Sequence, residues 1–424
     1  MLIAILFGSF ILALALGFPV ALSLGISSML YILAAGLPLV VLPQKMFAGM
    51  DSFVLLSIPG FILAGNLMNG GGITDRIIRF ANVLVGHIRG GLGQANIAGS
   101  MLFGGISGTA VSDTASIGAV MIPGMKKAGY DAPFSAAVTA ASSTVGPMIP
   151  PSVPMIIVGT LTGISVGQMF LAGAVPGILL GLGMMVTCYI VSRKRDYPRI
   201  PWQGFRQLGA SFLDAIWAIL TTFIILFGIV GGFFTPIEAS VIAAAYAFAV
   251  CLFIYRGFRL RDVPKIIIDS GISSASIILL VGFANVFGYI LTSERIPQVI
   301  SAAVLSISDN PYVVILLLNV VLLIVGMFME TIAALIILVP PLLAVAQQVG
   351  IDPLHFATFA VLNLMLGLTT PPLGVCLFVA GNIGKVTMVD LVKAIWPFLL
   401  GNIVVLMLVS YIPALSQWLP GLFY

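Results

Sequence analysis

Asp113 is the one charged residue between positions 91 and 125, and Glu330 the one between 310 and 351. A lone carboxylate in so apolar a run is costly to bury, and inside a membrane it marks a functional position by default. Each follows a stretch that resists helix, GGISGT at 104–109 and the shorter GMFM at 326–329. Beyond each lies a proline-rich interruption, GPMIPPSVP at 146–154 and GLTTPPLG at 367–374. Proline inside a helix removes a backbone hydrogen bond at a cost of about 3 kcal/mol, and the freed carbonyls find no water in a bilayer. Such breaks expose N–H groups with partial positive charge on one side and free carbonyls on the other. Carbonyls and hydroxyls there suit a hard cation such as Na⁺, while the half-helix N-termini suit a carboxylate.

The surrounding charge narrows the options for an anion. Residues 132–192 contain no Asp, Glu, Lys or Arg, and residues 353–384 add only His355. An anionic substrate there must be held by backbone N–H groups, hydroxyls or co-bound cations. Ser107, Thr109, Ser142, Ser143, Thr144 and Ser152 are the first-half candidates, with Asn363, Thr369 and Thr370 in the second half. The plain alternative is that such hydroxyls bond back to their own helices or hold helices together. Asp113 and Glu330 either touch an ion or tie a hairpin tip by capping a half-helix. His87 reads as interfacial, and His355 as a cap or as facing the outer surface. Trp202, Trp217, Trp396 and Trp418 read as interface anchors. Cys188, Cys251 and Cys376 sit in apolar runs and read as small hydrophobes. No Gly-x-Ser-x-Gly with a partnering His, no Asp pair and no zinc or disulfide pattern supports an intramembrane enzyme.

The elements that must carry these residues are membrane helices. The chain has 424 residues, 60% hydrophobic and 8% charged, with mean hydropathy +1.19; a soluble domain carries about 25% charged residues. Apolar runs of about 20 residues recur throughout, which excludes a barrel and makes the lipid bilayer the solvent. The net charge of +4 reflects basic residues clustered between spans, so no nucleic-acid partner is expected. MLIAILFGSFILALALG at 1–17 has no basic n-region, and apolar sequence resumes after Pro19; it is expected to be a retained first span.

These features occur twice. Asp113-Thr114 is followed after ten residues by Pro123, and Glu330-Thr331 after ten by Pro340. A Gly-x-Asp follows each, at 129–131 and 350–352. Seventeen residues past those glycines lie Gly146 and Gly367, and four further on Pro150-Pro151 and Pro371-Pro372. Pro19 matches Pro236 at the offset of the acid pair. Spans are expected near 2–22, 24–42, 53–69, 132–163 and 167–191, then 211–233, 236–255, 266–291, 353–383 and 388–413. Each half adds an interfacial arm and a re-entrant hairpin. Basic loops at 193–206 and 256–265, with Lys126-Lys127 and the segment 77–90, are assigned to the cytoplasm. The second hairpin has no positive excess at its base, so it enters from the periplasm and the repeats are inverted. Both termini come out periplasmic. Inverted hairpins with paired breaks argue for alternating access rather than a passive channel.

The segment 93–159, with its SGT-x-x-SD tip, IP-x-M-x-x-x-GY run and P-x-IPPS break, resembles the large membrane subunit of TRAP transporters, the DctM-like family. The second-half strings VGM…VPPLL…GID and TTPPLG are similar to it too, and the likeness covers essentially the whole chain. The resemblance implies an inner-membrane, Na⁺-driven importer of organic acids such as C4-dicarboxylates or sialic acid. It implies a periplasmic binding protein (DctP-like) and a separate small membrane subunit (DctQ-like) as partners, with no cofactor beyond Na⁺. It also implies an all-α, inverted-repeat elevator. Residues 71–165 and 293–385 would carry the moving hairpins and broken helices, while 1–70, 166–292 and 386–424 form the scaffold. One Na⁺ site would involve Ser107, Gly108 and Gly146 with nearby carbonyls such as Pro150. The other would involve the tip at 326–331, with Gly326 and Glu330, together with Gly367 and Thr370. The rival reading is a divalent-anion/Na⁺ symporter that works without a binding protein.

Overall fold

With no water in a bilayer core, backbone groups are satisfied within helices, and the described residues form helices and turns with no strand. The structure, a computed structural model, describes residues 2–424; the side chains of 105–107, and with them the Ser107 hydroxyl, lie outside the described residues. The first half comprises α1 (Leu2–Ala15), α2 (Val20–Ala34), α3 (Val41–Met50), α4 (Ser57–Gly70), α5 (Ile73–Val85), α6 (Gly91–Ser107), α7 (Ala110–Lys127), α8 (Ala132–Ser142), α9 (Val153–Thr162) and α10 (Val166–Lys194). The second comprises α11 (Gly204–Val230), α12 (Pro236–Ala249), α13 (Val263–Ser293), α14 (Ile296–Ile307), α15 (Pro311–Gly326), α16 (Thr331–Gln348), α17 (Pro353–Gly367), α18 (Val375–Gly384) and α19 (Met388–Tyr411). Element for element the halves correspond, except that α3 has only the single turn Leu260–Asp262 opposite it.

Local chemistry explains the boundaries. Thr235 closes a capping box with Glu238 ahead of Pro236, and Asn310 caps α15 ahead of Pro311. Asp352 caps α17 ahead of Pro353, each a proline at the first turn where its missing N–H costs nothing. Seven helices among the described residues are long and apolar enough to cross a membrane, eight if the bent pair 132–148 and 153–162 counts as one span. The protein is an all-α, multi-pass membrane protein.

Packing exchanges partners between the halves. Helix α2 lies on α13 as α12 lies on α4, and α7 lies on α18 as α16 lies on α9. The hairpins α6–α7 and α15–α16, with the broken pairs α8–α9 and α17–α18, therefore interlock. Helices α10 and α19, expected in the scaffold, pack on each other and on α6, α8 and α17. Glycines make the α10–α19 contact close: Gly183 of α10 faces Val405 of α19, and Gly401 of α19 faces Thr187 of α10, at distances a larger residue would block.

Three expectations shift. The spans drawn over 2–22 and 24–42 are shorter, because the turn before Pro19 and the Ala35-Gly36 turn end α1 and α2 early. The sequence 41–50 then forms α3, an unforeseen helix docked on α13. Finally, His355 is buried, its ring bonded to the Ser416 hydroxyl (2.7 Å) and the Ser410 carbonyl (2.9 Å), rather than facing a surface.

Candidate functional site

The stretch at 104–109 does not break where glycine first appears. Helix α6 runs on to Ser107 and ends at Gly108, which takes a left-handed φ of +67°, a conformation that favours glycine. Thr109 then begins α7 in extended conformation. Gly104 has another use, close approach: a Cβ there would sit 2.0 Å from the Gly146 Cα. In the second half a Cβ on Gly367 would sit 2.6 Å from the Gly326 Cα. Both hairpin ends thus touch their broken spans backbone to backbone, at equivalent positions.

The acids differ. Asp113, in the first turn of α7, is buried, with its Oδ2 against Gly146: a Cβ on that glycine would approach it to 2.2 Å. Glu330 is the N-cap of α16, its Oε2 accepting from the Ile332 and Ala333 N–H groups at 2.9 and 3.2 Å. Through Oε2, Glu330 thus caps the start of α16 at the tip. Met327 to Glu330 form the second tip, four residues against two in the first.

At the breaks, turns and irregular backbone, with one tight 3-10 turn at Gly146–Met148, replace helix from Ser143 to Ser152 and from Leu368 to Gly374. The Pro150-Pro151 and Pro371-Pro372 bonds are both cis. Ser143, Thr144, Ser152 and Thr369 are fully buried. Their hydroxyls donate into the local backbone: Ser143 to Thr139 O (2.8 Å), Thr144 to Ala141 O (2.7 Å) and Thr369 to Leu366 O (3.0 Å). Thr370 donates to Leu366 O at 2.8 Å. Ser152 donates to the Pro147 carbonyl and accepts from Met155 N. A hydroxyl whose proton is already committed has only oxygen lone pairs left. Such groups suit a cation better than an anion.

Ser142 and Asn363, at equivalent positions, are spent on holding hairpin to span. Ser142 accepts from Ser100 Oγ at 2.9 Å, and Asn96 Nδ2 reaches Thr139 Oγ1 at 2.6 Å beside it. Asn363 Nδ2 donates to the Asn319 backbone carbonyl and side-chain oxygen at 2.9 and 2.7 Å, and Asn319 Nδ2 reaches Ser410 Oγ at 3.1 Å. Asn96, Ser100 and Asn319 were not singled out in the sequence. Each is a polar residue in the middle of a hairpin helix, and that was the available signal.

Lys126 joins the halves at the far end, its Nζ donating to the Gly384 carbonyl at the close of α18 (3.1 Å). Arg76 and Arg79 of the amphipathic α5 bind Asp214 of α11 at 3.0 and 3.4 Å. The arm at 77–90 is thereby tied to the first helix of the other half. His87 stacks edge-on against Trp202 at 5.0 Å.

Two interlocked copies of a hairpin and an interrupted helix, inside a bundle of apolar spans, define an integral-membrane transporter. The chain belongs to the DctM component of the tripartite ATP-independent periplasmic transporters, the family whose profile matches residues 7–415. It is 42% identical over 380 residues to the sialic acid TRAP transporter large permease protein SiaM of Vibrio cholerae, covering 90% of this chain and 89% of that protein. It is 41% identical over 377 residues to the C4-dicarboxylate TRAP transporter large permease protein DctM of Pseudomonas aeruginosa, covering 89% and 88%. Among solved structures, Neisseria gonorrhoeae MtrF aligns with a TM-score of 0.54 over 90% of this chain and 84% of that one; at 13% identity the likeness is one of fold alone.

Proposed function

We propose that this chain is the large permease subunit of a Na⁺-coupled importer of an organic acid, working with a small membrane subunit and a periplasmic binding protein in a bacterial inner membrane. Tripartite is the family's own description, and relatives named for sialic acid and C4-dicarboxylate favour a carboxylate substrate. The observation that carries the coupling is the pair of junctions at Gly104–Gly146 and Gly326–Gly367. Each junction lies next to a break, so that carbonyls freed by the prolines and hydroxyls whose protons are bonded back would supply the ligands of a cation there.

One Na⁺ would sit among Gly108, Asp113, Gly146, Pro150 and the neighbouring hydroxyls, with Ser107 completing it. The other would use Gly326, Gly367 and Thr370, with Glu330 preserving the tip. The bound cations, with Ser152 and Thr369 offering them lone pairs, then supply the charge that holds the substrate carboxylate beside Thr109. Each inward Na⁺ gains about 2.3 kcal/mol per 100 mV of potential, which offsets moving an anion the same way. The interlocked hairpins and broken spans, with α10 and α19 grouped among them, move as one body against α1–α4 and α11–α13. This is an elevator, with both termini on the periplasmic side.

The test is uptake by the full complex in liposomes. Accumulation is expected only with an inward Na⁺ gradient and the binding protein present. Uptake indifferent to Na⁺ refutes the coupling, and uptake without the binding protein favours a carrier of the divalent-anion symporter kind.

A further inference from the structure

The first 75 residues contain one basic residue, Lys45. By the charge distribution it lies on the outer side, where the positive-inside rule makes lysine uncommon. It sits on α3, the helix without a full counterpart, half-buried at the wall of a cavity of about 610 Å³. Sites for small ligands commonly span about 300–1,000 Å³. One wall belongs to α3, the connection after it and α13, through Lys45, Ser52 and Tyr289; the other belongs to α9 and α16, through Thr160, Ile336 and Pro340. The cavity therefore divides the static helices from the proposed moving body.

The position of Lys45 is built. Asn285 Nδ2 donates to the Lys45 carbonyl at 2.7 Å, and Gly49 lets α3 come so near α13 that a Cβ would meet Asn285 Cβ at 2.4 Å. The ammonium stands over the Tyr289 ring, 4.3 Å from its centre. All three ion pairs among the described residues are elsewhere, at Asp214 and Asp131. Lys45 is also the one charged residue lining the cavity. Thr160 and Thr292 donate back to Ile156 O and Gly288 O. Among the lining side chains this leaves the ammonium, the Ser52 and Tyr289 hydroxyls and the second Asn285 Nδ2 hydrogen as donors for an incoming ligand. A half-buried cation without a carboxylate partner, with hydroxyl donors beside it, is complementary to a carboxylate.

We infer that this cavity is the outward vestibule for the substrate anion, and that Lys45 is its counter-charge and a substrate-binding residue on the static wall. The inference rests on the proposed carboxylate import.

The full complex in liposomes is tested with succinate and with sialic acid as probes, wild type first. If neither is taken up with Na⁺ and the binding protein, the functional reading fails and this one with it. Where wild type transports, Lys45→Gln is expected to raise the half-saturation concentration roughly 10- to 100-fold, as for loss of a charge-assisted bond. The maximal rate should change far less, and Lys45→Arg should restore most of the affinity. Arg295→Gln, another outer cation but not one lining the cavity, should behave as wild type. Lys45→Cys distinguishes charge from shape, since Cys188, Cys251 and Cys376 are all buried. Outside aminoethyl methanethiosulfonate, which restores a cation, should recover affinity, and the sulfonatoethyl reagent should not. A Lys45→Gln half-saturation within about twofold of wild type, or equal effects of the two reagents, overturns the inference.

Discussion

Replacing Gly104 by alanine tests whether the first hairpin end needs backbone contact with its broken span. The new Cβ would lie 2.0 Å from the Gly146 Cα, where carbon atoms ordinarily rest about 3.5–4.0 Å apart. The obstacle is backbone, not the free end of a side chain, so hairpin and span must separate by about 1.5 Å. Overpacking of this kind costs about 1–3 kcal/mol. Gly99 supplies the control on the same helix: there a Cβ meets only Ile78 Cγ1, at 3.8 Å. Alanine gains about 0.5–1 kcal/mol of helix preference at both positions, which cancels between them, so the two variants should differ by the overpacking cost alone, about 1–3 kcal/mol. The assay is unfolding of the purified protein in nanodiscs, in NaCl and in choline chloride. Gly104→Ala should be the less stable, and should lose most of the stabilisation that NaCl gives wild type, because an ion bound only to the folded state adds RT ln(1 + [Na⁺]/Kd). Equal stabilities of the two variants would refute the packing argument; an unchanged NaCl increment in Gly104→Ala would refute the placement of Na⁺ at this junction. Gly367→Ala repeats the experiment in the second half, against Gly326 at 2.6 Å.

Other outcomes follow from the same geometry. Glu330→Ala should cost about 0.5–2 kcal/mol through loss of the cap, and Glu330→Gln, which keeps an acceptor oxygen, clearly less; equal losses in an unfolding assay would reject the cap. Asn363→Leu strips both donors from Asn319 and should destabilise by about 1–3 kcal/mol, seen as a lower melting temperature. In the loop between α7 and α8, burial pushes the Tyr130 phenol up to about 12, against about 10 in an unfolded chain. Folding therefore favours the protonated phenol: that stabilisation is complete below pH 10 and fades as pH rises toward 12. Tyr130→Phe, measured by unfolding from pH 9 to 12, should flatten that decline.

Much of the architecture was legible in the residues because a membrane allows so little else. Where runs were long and apolar, as at 167–191 and 266–291, the helices Val166–Lys194 and Val263–Ser293 fall within a few residues of expectation. The broken spans were plain where prolines cluster with glycine, at 146–154 and 367–374; proline alone is not enough, since Pro123, Pro176, Pro397 and the pair Pro340-Pro341 stay inside continuous helices. The duplication, too, was written in the spacing of the glycines and proline pairs at the breaks, whereas the acids do not correspond: Glu330 is the N-cap of α16, the place Thr109 holds before α7, and Asp113 lies four residues further on. Glycine was the ambiguous letter. At Gly108 it ends a helix, while at Gly104, four residues earlier in a similar setting, it stays helical and makes room for Gly146. Spacing cannot separate these uses, because close approach depends on a partner some forty residues away in the chain.

By itself, then, the sequence determined the helical membrane class, the two-fold plan and the positions of the breaks, because these follow from local hydrogen bonding in a medium without water. The tertiary structure alone decided which hydroxyls have their protons committed, that Asn363 serves Asn319, that α10 and α19 pack with the hairpins, and that α3 carries Lys45 to a cavity wall. Each of these depends on which surfaces meet, and that is set by shape at close range between segments remote in sequence.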